Sequence, residues 1–223
     1  MSASPAAART PWWERHVELV VVIMLGIVSV ATAYTSFQSS LYGGQSADKI
    51  SQSEASATLA ESLYLEGNQQ YVQDSQTIQQ LSAYAIAADA GDPTASAQYD
   101  DLYFIGVSED LDAAIQNAAA LDESDPGFWH DPQADEDYQA ALFGTYAEES
   151  DTSDTLRAEG DQLGYNGDLL SLYTTLMAVS LFLLGIAAVL KRPVLQWILI
   201  ATGGAIFLVT AILTAMVPFV GLS

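Results

Sequence analysis

The chain has 223 residues, half of them hydrophobic, with 28 acidic against six basic side chains and a formal net charge of −22. That excess of negative charge excludes a nucleic-acid partner, since a phosphate backbone would be repelled rather than bound. The absence of cysteine excludes disulfides and thiolate chemistry alike.

Residues 1–16 are a short N-terminal segment holding Arg9, Arg15 and the pair Trp12-Trp13. Residues 17–38 come next as the first predicted transmembrane helix with its outer interface. Their apolar run, Val17–Tyr34, is 18 residues long, close to the roughly 20 that a helix needs to cross a bilayer's hydrocarbon core. Arg9 and Arg15, the apolar run and then Ala31-Thr32-Ala33 also describe a cleavable signal peptide. The run is longer than a usual signal core and Trp12-Trp13 is unusual before one, so a retained span is the preferred reading. Either outcome exports residues 39–168.

Residues 39–168 are a different material. They hold 26 of the 28 acidic residues and only two bases, Lys49 and Arg157, for a formal charge of −24. Such a segment repels itself, and either concentrated salt or bound divalent cations would relieve the cost. Abundant Asp with scarce Lys suggests a salt-loving source and a solvated acidic surface. The densest acidic runs, at 109–112, 122–125, 135–137 and 148–151, do not fit a calcium loop, so at most weak divalent-cation binding is expected and no dedicated metal or cofactor site.

Within this segment Gln45–Ala88 reads as helix, free of Pro and of β-branched runs. Ile50, Ala57, Tyr64, Tyr71, Ile78 and Ala85 recur every seven residues and are expected to form a packing column. The accompanying column, Ser53, Ala60, Gly67, Asp74 and Leu81, is poor in large apolar residues, which argues against a simple two-stranded coiled coil. It suits instead a small-residue face packed closely among several helices. Gly67-Asn68 is a possible break, although the column running through it favours continuity. Gly91-Asp92-Pro93 breaks the helix. A short helix carrying Ala97, Leu102 and Phe104 is expected next, then one capped by Ser108 and reaching about Leu121. Asp122–Trp129 reads as a loop, with Asp131-Pro132 opening a further helix. That helix carries Tyr138, Leu142, Tyr146, Leu156 and Leu163, with a possible break over Glu148–Asp154 and a link to the next span at Tyr165–Asp168. No stretch alternates as a strand would.

Residues 169–190 and 194–217 are the second and third predicted spans, 22 and 24 residues long, joined by a turn at 191–193 and trailed by a short tail at 218–223. Lys191-Arg192 in the turn and Arg9 and Arg15 before span 1 place both on the cytoplasmic side, because basic residues in short loops stay inside. Residues 39–168 and the tail then lie outside. Trp12, Trp13 and Trp197 fall at the expected inner interface, and Tyr34, Phe37, Tyr42, Tyr165, Tyr173 and Phe219 at or near the outer one. Small residues four apart at Ser29/Ala33, Ala201/Ala205 and Ala211/Ala215 would let helices approach closely. The fold class expected is an all-α integral membrane protein, with three transmembrane helices and an acidic, mostly helical extracytoplasmic domain.

The exit of span 1, Tyr34-Thr35-Ser36-Phe37-Gln38-Ser39-Ser40-Leu41-Tyr42-Gly43-Gly44-Gln45, is an aromatic-x-x-aromatic-Gln run, then an aromatic-Gly step, before a Gln/Ser/Ala-rich helix. With the overall layout, this resembles a group of uncharacterised prokaryotic three-pass membrane proteins. The resemblance implies one N-terminal span, a helical insert and a C-terminal hairpin of spans; it implies no activity. Gln38 and Tyr42 read as interfacial anchors rather than functional groups.

No motif points to catalysis. His16 and His130 fall on opposite sides of the membrane and cannot share a metal or a triad. Phosphate cradles and nucleophile elbows are absent. The chain is therefore expected not to be an enzyme, with no catalytic, cofactor-binding or metal residues. Its expected partners are the lipid bilayer and either further copies of itself, as a homo-oligomer, or an envelope protein. A non-catalytic assembly or scaffold role leads. An oligomeric cation channel or transport accessory with an acidic vestibule, and a membrane sensor, are the alternatives.

Overall fold

The computed structural model describes the backbone of residues 12–221 and the side chains of residues 17–221. Arg9 and the side chains of Trp12, Trp13, Arg15 and His16 lie outside the described residues, as do Leu222 and Ser223. Among the described residues five α-helices form: α1 (Trp12–Asp89), α2 (Ala95–Gly106), α3 (Glu109–Ser124), α4 (Glu136–Val189) and α5 (Pro193–Met216), with a 3₁₀ turn at Pro132–Ala134. There is no strand among the described residues. Three of the helices, α1, α4 and α5, are long and apolar enough to cross a membrane. The chain divides into two compact units, the first Met1–Ile50 with Ala158–Ser223, the second Ser51–Arg157.

In the first unit Val17, Val21 and Val28 of α1 pack on Met177, Leu184 and Ala187 of α4 and Ile200 of α5. Steps of three and four residues continue this stripe through Thr35, Gln38 and Tyr42, all buried. The helices are nevertheless apolar on their outward faces as well. Val22, Val30, Phe182 and Leu208 are among the exposed large hydrophobics. Small residues bring backbones together. Ser180 Oγ donates to Gly203 O at 2.6 Å, and a Cβ on Gly203 would stand 3.3 Å from Leu184 Cγ and from Ser180 O. Between α1 and α4, Ser39 Oγ donates to Gly167 O at 2.8 Å and Ser46 Oγ to Gly160 O at 2.7 Å. The donors advance by seven residues as the acceptors retreat by seven, which defines an antiparallel pair in register. Tyr165–Asp168 is therefore not a link: α4 runs through it without a break, because Gly167 sits in the helix–helix contact rather than in a turn.

The second unit packs closely on the small-residue column, as its composition suits, with the large residues of the other column beside it. Ser53, Ala60, Gly67, Asp74 and Leu81, the column poor in large apolar residues, are all buried, whereas Tyr64 and Ala85 of the other column are not. Close approach is the reason. A Cβ on Gly67 would sit 2.4 Å from Leu142 O, so α4 touches the α1 backbone there. Ser53 and Ser153 exchange hydroxyl-to-carbonyl bonds at 2.8 and 2.9 Å, their oxygens 3.2 Å apart. The large residues flank this seam. Tyr64 lies with its ring centroid 5.9 Å from that of Phe143 and 5.3 Å from that of Tyr146. Tyr71 and Ile78 pack against a cluster of Leu111, Ala114 and Tyr138. Helix α1 is continuous through Gly67-Asn68, and α4 through Glu148–Asp154, so neither possible break occurs.

The helix ends obey ordinary capping chemistry. After α1, Gly91 adopts a positive φ of 94°, and the Gly91 and Asp92 amides close onto Ala88 O and Ala87 O, an ending that Gly adopts at little steric cost. Ser108 Oγ accepts from the Leu111 amide at 3.3 Å, with Glu109, Asp110 and Asp112 in the first turn of α3, where the helix dipole favours negative charge. Asp131 caps the 3₁₀ turn through the Gln133 amide, and Asp135 caps α4 through the Tyr138 amide, each at 3.0 Å. The helix expected to open at Pro132 thus opens at Glu136, one short 3₁₀ turn later.

Candidate functional site

Three polar constellations stand out, one in the first unit and two in the second. The first is built on the exit of span 1. Gln38, Tyr42 and Gln45, at i, i+4 and i+7, lie along one face of α1. Beyond Met216 the chain leaves the helix, and its backbone donors and acceptors need partners. The Gln38 side-chain amide supplies both kinds: Nε2 donates to Val220 O at 3.2 Å, and Oε1 accepts from the Val220 amide at 3.1 Å. Tyr42 donates to Pro218 O at 2.8 Å, and Gln45 donates to Gly221 O at 3.3 Å. Gln38 and Tyr42 are thus not interfacial anchors. They are 3% and 2% exposed and clasp the C-terminal tail. Tyr34 and Phe37, on neighbouring faces, remain exposed.

Seven hydroxyls of the apolar segments are engaged in a simpler way. Ser29, Thr32, Thr35, Thr174, Thr175, Thr202 and Thr210 each donate to the carbonyl four residues earlier in their own helix. A hydroxyl so engaged has its donor satisfied within its own helix.

In the second unit a carboxylate is buried without a cation. Asp74, 1% exposed, accepts from Tyr138 Oη at 2.7 Å and from Gln70 Nε2 at 2.8 Å. Burial, then the hydrogen bond to Asp74, pushes the Tyr138 hydroxyl above its ordinary value. Gln133 extends the network, accepting from Ser75 at 2.9 Å and donating to Tyr71 O at 3.1 Å. Nearby, burial first and the Asp112 carboxylate second push Tyr103 up to about 12. These bonds join the 3₁₀ turn and α4 to α1, and α2 to α3, and the role they support is structural.

The third constellation lies on the distal loop. The Asp122 carboxylate accepts from the His130 amide at 2.9 Å and stands 2.7 Å from His130 Nδ1. The side-chain bond to His130, then the backbone one, holds Asp122 below the usual carboxylate range. Asp135 is lowered too, chiefly by the Tyr138 amide and then by Asn117. This tether presents Phe128 and Trp129, about two-thirds exposed, beside a cavity of about 420 Å³. Nothing in the sequence pattern announces the cavity, because its floor comes from Ala114, Ala118 and Ala134, residues that read only as helix formers.

No group of three or more metal-ligating His, Asp or Glu side chains converges among the described residues. The acidic runs are instead spread over helix ends and surfaces: 109–112 opens α3, 122–125 ends it, 135–137 opens α4, and 148–151 lies within α4. The class these residues define is an all-helical protein with three helices of membrane-spanning length and composition. No family model, curated protein or solved structure matches the chain.

Proposed function

We propose that this protein is a non-catalytic, membrane-anchored assembly or scaffold protein of the cell envelope, with the apolar stretches of α1, α4 and α5 in the bilayer and residues 39–168 outside the cytoplasm. Apolar residues on both the inward and outward faces of α1, α4 and α5 support lipid as their solvent. Lys191-Arg192 between α4 and α5 supports a cytoplasmic turn. The resemblance to three-pass membrane proteins agrees with this arrangement.

One observation carries the assembly role. The intramolecular seams use Ser39, Ser46, Gly160, Gly167, Ser180 and Gly203. The small pairs Ser29/Ala33 and Ala201/Ala205 are left exposed. Within lipid, small residues four apart favour close helix–helix contact, so these pairs offer a face to a second copy. The small-residue column of α1 is occupied within the chain and does not itself favour self-association.

The test is the mass of the purified full chain in mild detergent or nanodiscs, measured from physiological to molar salt. The wild type is expected to contain more than one copy, and a variant carrying Ala201→Leu and Ala205→Leu a single copy. A monodisperse wild-type monomer at every salt concentration, with no envelope protein co-purifying, would refute the proposal.

A further inference from the structure

We infer that the cavity beneath Phe128 and Trp129 is a binding site for a small organic cation of the substituted-ammonium class. Its volume, about 420 Å³, falls within the range of small-molecule sites. Its chemistry has two components. The floor is alanine methyls from α3 and the 3₁₀ turn, with Leu121 beside them. The Phe128 and His130 rings meet edge to face with centroids 5.1 Å apart, and Trp129, largely exposed, is a further lining residue. Asp131 and Asp135 also line the cavity, and Asp122 lies behind His130.

An apolar floor selects an apolar body, and carboxylates with aromatic faces select a positive charge. An ammonium ion wrapped in methyl or methylene groups satisfies both, because it is poorly hydrated and is attracted to the face of an indole. Competing ligand classes fit worse. An anion meets the carboxylates of Asp131 and Asp135. A bare metal ion lacks a ligand set, since no three ligating side chains converge among the described residues. The unit itself offers almost no cation to fill the role, its only Lys or Arg being Arg157. The three carboxylates keep their capping bonds to Gln133, Tyr138 and His130, so the charge is fixed in place before any ligand arrives.

This site stands apart from the self-association proposed above, and its test reads out separately. The full chain in detergent is titrated calorimetrically with tetramethylammonium and with choline, against sodium chloride at matched ionic strength. The uncharged isostere of choline, 3,3-dimethylbutanol, serves as the control for purely apolar binding. Both cations are expected to bind saturably, with the isostere at least about tenfold weaker. Trp129→Leu, which keeps apolar bulk but removes the indole face, is expected to weaken cation binding about tenfold. Phe128→Leu provides a second variant at an exposed position, with circular dichroism confirming that each variant folds. Equal binding of choline and its isostere, unchanged affinity in both variants, or no saturable binding to the wild type would each overturn the inference.

Discussion

The two units pack helices α1 and α4 by the same rule and present opposite surfaces. In the first, Ser39 and Ser46 reach across to Gly167 O and Gly160 O. In the second, Ser53 and Ser153 exchange the same kind of bond. Both contacts lie in the acidic stretch 39–168, whereas the Ser180–Gly203 contact of the first unit, made by the same kind of bond, has an apolar exterior that includes Phe182 and Leu208. The difference teaches that the seam depends on side-chain size while the exterior depends on solvent, so the two can vary independently along one helix. A small residue every seventh position lets backbones approach, and hydroxyl-to-carbonyl bonds then form regardless of what surrounds them.

Breaking the seam by size has the largest expected effect. Gly67→Val places a Cβ 2.4 Å from the Leu142 carbonyl, a rigid backbone atom. Overpacking of this kind costs about 3 kcal/mol, and the full chain is expected to lose part of its helical signal at a markedly lower temperature. Gly26→Val in the first unit meets nothing within 4 Å and is expected to leave the melting unchanged. Equal effects at the two sites would show that size at the seam is not the determinant.

A second comparison sets buried polar groups against each other. Tyr138→Phe removes one of the two side-chain donors to the buried Asp74 carboxylate and is expected to destabilise the second unit by about 2 kcal/mol. Gln38→Leu in the first unit removes the paired bonds to Val220. Its expected effect is local: faster hydrogen exchange at the Val220 amide with little change in global stability.

The smallest effect is a pH dependence. Asp92, Asp122 and Asp135, all in the second unit, are held below the ordinary value of 3.8 by hydrogen bonds. A depressed carboxylate stabilises the fold at pH values above its unfolded value, and that contribution disappears as pH falls through the lower folded value. Acidification through this window is expected to loosen the loop at 125–131. Asp122→Asn should flatten that response, read as a smaller acid-induced change in Trp129 exposure to a soluble quencher.

Much of the fold is legible from residue chemistry. The three long apolar stretches, the caps at Ser108 and Asp131, and the stop at Gly91 all arise from local composition and backbone preference. Which face of α1 is buried is not legible from hydrophobicity, because Ser53, Gly67 and Asp74 are chosen for size and hydrogen bonding rather than for apolar area. Continuity of α4 through Tyr165–Asp168 is hidden for a related reason, since an Asn-Gly pair signals a turn unless a neighbouring helix requires the Gly. The roles of Gln38 and Tyr42 depend on the position of the C-terminal tail, far away in sequence. Their i, i+4 spacing on the buried stripe of span 1 is the available hint. The Trp129 cavity depends on the alanine faces of two separate elements, which no local pattern reveals.

The seam itself is open to a direct test, because the chain has no cysteine of its own. Ser53→Cys paired with Ser153→Cys, where the native oxygens stand 3.2 Å apart, is expected to form an intramolecular disulfide nearly quantitatively under mild oxidation. Ser53→Cys paired with Tyr146→Cys, one heptad out of register, is expected to stay reduced. Efficient cross-linking of the second pair, or failure of the first, would contradict the small-residue seam.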